Sequence, residues 1–153
     1  MNRREMFTAT GAAVLAMAAT SAMAEETHHD HDHAMMGHVA PTLPPNLKLI
    51  DIASLCLRTG LVCMNHCLDS FTKGDLSLAG CARTVDQMES VCATLEKLAS
   101  INSPHLPAMA KIALAVCLEC EKECRKHADH HAECKACAEA CLACAEECRK
   151  IAA

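Results

Sequence analysis

The feature that most constrains this chain is the row of cysteines between Cys134 and Cys148, in the stretch CKACAEACLACAEEC. Its five cysteines are separated by steps of three, four, three and four residues. Residues at such steps lie on one face of an α-helix. The spacing therefore predicts a helix whose buried stripe consists of thiols, with the intervening charged residues facing water.

Composition reinforces this expectation, because the chain has thirteen cysteines but only two phenylalanines and no tyrosine or tryptophan. Alanine and cysteine must then fill much of the interior, although neither side chain buries much apolar area. The formal net charge is −5 and no basic cluster is present. This balance argues against nucleic acid or an anionic membrane as a partner.

The first 24 residues are predicted to form a twin-arginine signal peptide. Arg3 and Arg4 precede a mildly apolar stretch that is too short to span a bilayer, and Ala22-Met23-Ala24 supplies a small-residue cleavage site. We expect export by the twin-arginine route to the periplasm or another extracytoplasmic compartment. An ordinary secretory signal is the alternative interpretation.

Residues 25–45 are predicted to form a disordered leader, because they combine low complexity with three prolines and few apolar side chains. The leader is rich in side chains that bind copper, namely His28, His29, His31, His33, His38, Met35 and Met36. Two interpretations stay open for it, a solubilising segment and a metal-scavenging arm.

From residue 46 to residue 153 the pattern predicts a single all-α domain, an antiparallel four-helix bundle. The expected helices span 46–73, 76–101, 107–126 and 131–151. Gly74-Asp75 separates the first two, and Pro104 and Pro107 mark the break before the third. Helices of this length with short links favour an up-down-up-down order.

Helical spacing places all the cysteines on the inward stripes of the four helices. Measured from the end that holds the first and third turns, they are expected at three depths. The nearest are Cys67, Cys81, Cys124, Cys134 and Cys137, the middle ones Cys63, Cys117, Cys120, Cys141 and Cys144, and the deepest Cys56, Cys92 and Cys148.

A disulfide scaffold fits this pattern poorly, since the cysteine count is odd and neighbours on one helix are badly placed for bridging. A thiol–disulfide oxidoreductase would need an exposed Cys-x-x-Cys pair with a lowered thiol pKa. Iron–sulfur clusters usually take their four cysteines from loops rather than from a helical row. Metal storage without catalysis is therefore the favoured interpretation.

Charge favours one metal for this interior. Buried thiolates need neutralising cations, and zinc held by four thiolates leaves each site doubly negative. Cu(I) is soft, binds two thiolates and shares sulfurs between ions, so about one Cu(I) per cysteine would leave the core neutral. We predict storage of multiple Cu(I) ions. A metallothionein-like zinc or cadmium buffer and a thiol–disulfide oxidoreductase remain alternatives.

The twin-arginine signal, the His/Met-rich leader and the inward cysteines together resemble the exported copper storage proteins of methane-oxidising and other bacteria. The similarity is densest in residues 117–153. It implies a four-helix bundle that assembles as a homotetramer, binds Cu(I) through all thirteen cysteines and supplies a copper-requiring acceptor protein. It also implies a metal-binding role for His66, which matches a family histidine at the open end of the bundle.

Copper is expected to enter beside the first and third turns, where the sequence gathers a polar mouth. Its members are His66, His127, His130, His131, Asp75 and Asp129. Histidines at such places are also common as exposed turn residues. On the sequence alone, both a metal-binding role and a plain turn position stay open for His127, His130 and His131.

Met88 shares the inward stripe of the second helix with Cys81 and Cys92. Its thioether is a possible Cu(I) ligand, but a methionine in such a position is more often an ordinary core residue. Both interpretations stay open on the sequence alone.

Overall fold

The computed structural model describes residues 42–152, which contain every cysteine of the chain. This part of the chain forms four α-helices and no strand. They are α1 (Leu47–Thr72), α2 (Ala79–Ser100), α3 (Leu106–Arg125) and α4 (Ala132–Ile151). The predicted signal peptide and residues 25–41 of the predicted leader, with all its histidines and methionines, lie outside the described residues.

The four helices pack as an antiparallel bundle, in which each helix contacts the next and α4 closes onto α1. Near the start of α1, Lys48 pairs with Glu147 near the end of α4 at 2.6 Å, so these two helices run in opposite directions. The predicted all-α four-helix bundle is confirmed. None of the helices in residues 42–152 is both long and apolar enough to cross a membrane.

Three helices begin and end within one residue of the predicted bounds, but α2 begins three residues later than expected, at Ala79. The Asp75 carboxylate accepts a hydrogen bond from the Ser77 backbone N–H at 2.9 Å. This contact holds the preceding residues in a turn. Leu78 at the end of the turn is fully buried and joins the core.

The first two helices end in the same hydrogen-bonded turn. After α1, Gly74 has a φ of 82° and the Asp75 N–H donates to the Ser70 carbonyl at 3.1 Å. After α2, Asn102 has a φ of 48° and leads into an equivalent bond. A residue with a left-handed backbone conformation at this position ends a helix abruptly. The chain can then reverse its direction, so that the next helix packs antiparallel.

The two ends of the bundle differ in chemistry. The end that holds the α2–α3 turn is filled by hydrocarbon side chains, none of which is more than 4% exposed. They are Leu49, Ala53, Leu95, Ala99, Leu106, Ala110 and Ala113. Cysteines occupy most of the interior from there to the opposite end. The core is therefore a thiol-lined column closed at one end by apolar packing.

Candidate metal centre

All thirteen cysteines have fully buried side chains with free thiols. They come from every helix, because each helix turns its cysteine stripe inward and its charged residues outward. The structure thus places the predicted cysteines together in one interior. Their role as metal ligands stays a prediction.

The deepest group of thiols takes one residue from each helix. Cys56, Cys92, Cys117 and Cys144 have sulfur atoms that all lie within 4.8 Å of one another. Cys148 extends this group, since its sulfur lies 4.0 Å from that of Cys144. Four helices thus converge on one small volume that could hold soft metal ions.

The group nearest the α1–α2 and α3–α4 turns is larger and more branched. Two sets of sulfurs within 4.8 Å of one another share Cys63, one with Cys67 and Cys81 and the other with Cys124 and Cys137. Cys81 links the sets through a sulfur–sulfur distance of 3.3 Å to Cys124. The last member, Cys134, has its sulfur 3.8 Å from that of Cys63.

A third group lies between the other two. It consists of Cys120, Cys137 and Cys141, whose sulfurs also lie within 4.8 Å of one another. These residues come from α3 and α4 only. Cys137 also belongs to the group nearest the turns, and Cys141 hydrogen-bonds with Cys117 of the deepest group. The sulfurs therefore form a connected row rather than isolated sites.

The depths of three cysteines differ from those predicted. Cys63 lies with the group nearest the turns rather than in the middle, and Cys117 and Cys144 lie with the deepest group. The Cys63 and Cys81 sulfurs are 3.6 Å apart, although the first is roughly 14 Å from its helix end and the second roughly 3 Å, at ~1.5 Å per residue. The C-terminal end of α1 therefore extends beyond the start of α2 along the bundle axis. Residues 73–78 run back alongside α1 to connect the two helices.

The sulfur separations suit shared metal ions. Two sulfurs about 2.3 Å from one ion lie about 3.8 Å apart in a tetrahedral arrangement and about 4.6 Å apart in a linear one. The shortest contact between thiols is 3.3 Å, from Cys81 to Cys124, and the groups extend to 4.8 Å. Small side-chain adjustments would bring neighbouring thiols onto common ions.

Each group contains at least one thiol with a lowered pKa. Hydrogen bonds from neighbouring thiols, led by Cys124, lower the pKa of Cys63 to about 4. Hydrogen bonds led by Cys141 lower the pKa of Cys117 to about 6. In the middle group, hydrogen bonds led by Cys124 lower the pKa of Cys120. In each group, these thiols are the ones that lose a proton most readily when a metal ion binds.

Most of the other thiols have raised pKa values and keep their protons. Burial, the leading cause, raises the pKa of Cys67, and hydrogen bonding to Cys144 followed by burial raises that of Cys148. Hydrogen bonding led by Cys117 raises the pKa of Cys56. Protonated thiols carry no charge, so the empty core avoids most of the cost of buried anions.

Histidines gather at the thiol end of the bundle. His66 Nε2 lies 2.8 Å from His131 Nδ1, and the rings of His127 and His131 have centroids 6.2 Å apart. His66 directly precedes Cys67, which belongs to the outermost thiols. The structure therefore brings three of the four predicted mouth histidines together beside the first sulfurs.

The carboxylates of this mouth differ in part from those predicted. Glu133 Oε2 lies 3.7 Å from His66 Nδ1 and adds to the mouth a carboxylate that the sequence pattern did not predict. Its place in the first turn of α4, where acidic residues are favoured, was the available signal. Asp75 lies near the histidines, and its pKa is lowered chiefly by the Ser77 backbone N–H and further by His131. His130 and Asp129 are exposed.

The sequence of this chain is similar to those of known proteins. Residues 45–153 match the sequence profile of the copper storage protein family. The cysteine-rich protein YhjQ of Bacillus subtilis is 35% identical over 103 residues, which cover 64% of this chain and 94% of that protein.

Solved structures agree with the sequence comparison. Apo copper storage protein 3 from Bacillus subtilis has a TM-score of 0.63 and 31% identity, over 71% of this chain and 99% of that one. The copper storage protein Ccsp from Streptomyces lividans, loaded with ten copper equivalents, has a TM-score of 0.64 and 27% identity, over 70% of this chain and 83% of that one.

These matches confirm the predicted family, while its exported, methanotroph-type branch stays a prediction. The Streptomyces protein is described as cytosolic, and the Bacillus copper storage protein also matches in a Cu(I)-bound form. The sequence profile covers the whole bundle, including all thirteen buried thiols. The chain belongs to the copper storage protein family.

Proposed function

We propose that this protein stores Cu(I) inside its bundle, bound to the thiolates of all thirteen cysteines, at about one ion per thiol. The observation that carries the proposal is the convergence of fully buried, free thiols from four helices into connected groups with sulfurs within 4.8 Å. Few other roles require so many thiols on one interior surface.

Some cysteine sulfurs belong to more than one set of close sulfurs, and this sharing favours copper over zinc. Cys63 belongs to two sets within the group nearest the turns, and Cys137 belongs to that group and to the middle one. Among the described residues, only the deepest group contains four mutually close thiols. A structural zinc ion takes four ligands of its own, whereas Cu(I) accepts fewer sulfurs and shares them. The Bacillus relative in its Cu(I)-bound form and the Streptomyces relative with ten copper equivalents support the same choice.

Burial favours storage over thiol–disulfide catalysis. A redox-active cysteine must present its thiolate to a disulfide on another molecule. Every cysteine here has 0% exposed surface, including those with lowered pKa values. Small ions can reach these sulfurs, but a protein disulfide cannot do so without opening the bundle.

Copper is proposed to enter at the histidine end. The opposite end is closed by leucine and alanine side chains, whereas His66 and His131 lie half-buried beside the outermost thiols. Neutral imidazole binds copper but holds Cu(I) less strongly than thiolate does. His66 would therefore capture an ion and pass it to Cys67.

We further propose export of the protein by the twin-arginine route. Support comes from the Arg3-Arg4 pair, the apolar stretch that follows and the cleavage signal at Ala22-Met23-Ala24. The proposal separates this chain from the Streptomyces relative, which is described as cytosolic. An exported store would serve copper-requiring proteins outside the cytoplasm.

Self-association is proposed through the outer face of α1. Leu61 and Leu68 lie two helical turns apart and are 62% and 52% exposed, with Val62 beside them. Exposed apolar groups that share one helix face often mark protein contacts. The family resemblance implies a homotetramer, and this face offers an apolar surface for one of its interfaces.

Anaerobic titration of the purified protein with Cu(I) tests the storage capacity. We expect saturation at roughly thirteen ions per chain, whereas zinc would saturate near three. Because most of the thiol pKa values are raised, loading should release about one proton per protonated thiol, and the apparent affinity should increase with pH. Copper content and proton release are measured together. Saturation near one ion would instead indicate a chaperone.

Substitution of the mouth histidine tests the route of copper. His66→Ala should slow loading by about tenfold, comparable with the loss of a metal-site partner, while the final capacity stays nearly unchanged. Stopped-flow transfer from a coloured Cu(I) chelate measures the rate. His105→Ala is the matched control, because that histidine is exposed at the opposite end of the bundle. Equal rates for the two variants would contradict the proposed route.

Replacement of both signal arginines by lysine tests export. Arg3→Lys with Arg4→Lys should leave the precursor in the cytoplasm, since the twin-arginine route requires the pair. Cell fractionation followed by immunodetection measures the distribution. An ordinary secretory signal tolerates lysine, so continued export of the variant would favour the secretory route.

Charge placed on the apolar face of α1 tests self-association. Leu61→Lys with Leu68→Lys should reduce the oligomer to a smaller species, which light scattering after size exclusion measures. Ile112→Lys on α3 is the control, because Ile112 is 53% exposed but lies on another helix. A wild-type protein that is monomeric at all concentrations would exclude the proposed assembly.

A further inference from the structure

Only two of the four helices supply the middle group of thiols. The deepest group takes a sulfur from each helix, whereas the middle group, Cys120, Cys137 and Cys141, draws only on α3 and α4. An ion held by these three sulfurs therefore takes its thiolates from two adjacent helices. Its other side faces whatever α1 and α2 present at that depth.

On that side, α1 presents a glycine and α2 a methionine. Gly60 is buried on α1 between the levels of Cys56 and Cys63. Met88 is fully buried on α2. A Cβ added to Gly60 would lie 2.8 Å from Met88 Cε, so the methionine fills the space that a larger residue at position 60 would need. The Met88 side chain thus reaches across from α2 to the inner face of α1.

Neighbouring contacts fix the depth of Met88 along the bundle. One turn before it, the Thr84 hydroxyl interacts with Cys120 of the middle group. One turn after it, the Cys92 sulfur lies 3.8 Å from that of Cys117. Met88 therefore lies between the levels of Cys117 and Cys120. Its sulfur is one bond from the methyl group that lies beside Gly60, on the side of the core that α1 and α2 form.

We propose, on the basis that the bundle stores Cu(I), that Met88 is a thioether ligand for copper held by the middle group of thiols. A thioether is a soft donor that suits Cu(I). It carries no charge and no proton, so it adds a bond without adding another buried anion. Met88 would add a fourth sulfur to the middle group from the side of the core that α1 and α2 form.

The burial of Met88 distinguishes it from the other methionines of the bundle, which only fill space beside the core. The other methionines of the bundle, Met64 and Met109, are only partly buried and pack against the outside of the core. At the apolar end the buried stripes carry leucine and alanine, which define a core better than flexible methionine does. Only at the level of the thiols does a fully buried methionine occur in this bundle.

X-ray absorption at the selenium edge tests this ligand directly. The full chain is produced with selenomethionine, loaded anaerobically with Cu(I) and compared with Met88→Leu and the control Met109→Leu. Copper–selenium scattering should weaken in Met88→Leu and persist in Met109→Leu. The affinity for the ions of the middle group should fall by about tenfold. Proton release should stay the same, because the thioether carries no proton.

Leucine conserves the volume of methionine, so the variant is expected to fold. A second measurement needs no variant. The methyl group of Met88 is assigned in ε-¹³C-methionine spectra through its contact with Gly60 and followed during Cu(I) loading. A methyl signal that moves as the middle group fills supports the ligand.

The possible outcomes separate this inference from the storage function. Full copper loading with identical copper–selenium scattering in wild type and Met88→Leu would overturn the role of Met88 and leave storage intact. A Met88 methyl signal that stays fixed throughout loading would do the same. Failure of every form, including wild type, to bind several Cu(I) ions would overturn storage itself.

Discussion

The free-energy cost of burying negative charge governs this molecule. Thirteen thiols line one interior, and as thiolates without cations they would repel one another in a medium that stabilises charge poorly. Most keep their protons, because burial and hydrogen bonding to neighbouring thiols raise their pKa values. The bundle can therefore fold empty, and each Cu(I) that replaces a proton leaves the charge of the core unchanged.

The two ends of the bundle differ in their roles, and the difference follows from the cost of burying charge. Thiols and alanines bury little apolar area, so the few buried leucines matter more for hydrophobic stabilisation, and Leu49, Leu95 and Leu106 close one end of the bundle. Full burial of one such side chain contributes about 1.5–3 kcal/mol. The opposite end carries half-buried histidines and a carboxylate, which are polar groups that water can reach. The apolar closure and the proposed entry of copper thus lie at opposite ends of the same helices.

The middle of the thiol-lined column contains both cysteine and methionine sulfurs. Cysteine provides anionic ligands that must be discharged, and methionine provides a neutral one. A glycine at position 60 leaves room for the Met88 side chain between α1 and α2. Packing and metal chemistry therefore depend on the same small residue, because a larger side chain there would displace the thioether.

Cysteine steps of three and four residues, together with the glycine and proline breaks between them, were sufficient to predict the four helices and their inward thiols, since side-chain direction in a helix follows directly from residue spacing. The copper storage family was predicted from a resemblance that also rested on the twin-arginine signal and the His/Met-rich leader, and the match over residues 45–153 confirms the family. Which thiols meet was decided only by the tertiary structure. The linker between α1 and α2 runs down beside α1, so Cys63 meets Cys81 at a depth that residue counting missed. The Glu133–His66 contact likewise joins two helices. Axial offsets and contacts between helices depend on how linkers and core side chains pack, which the periodicity of one helix does not encode.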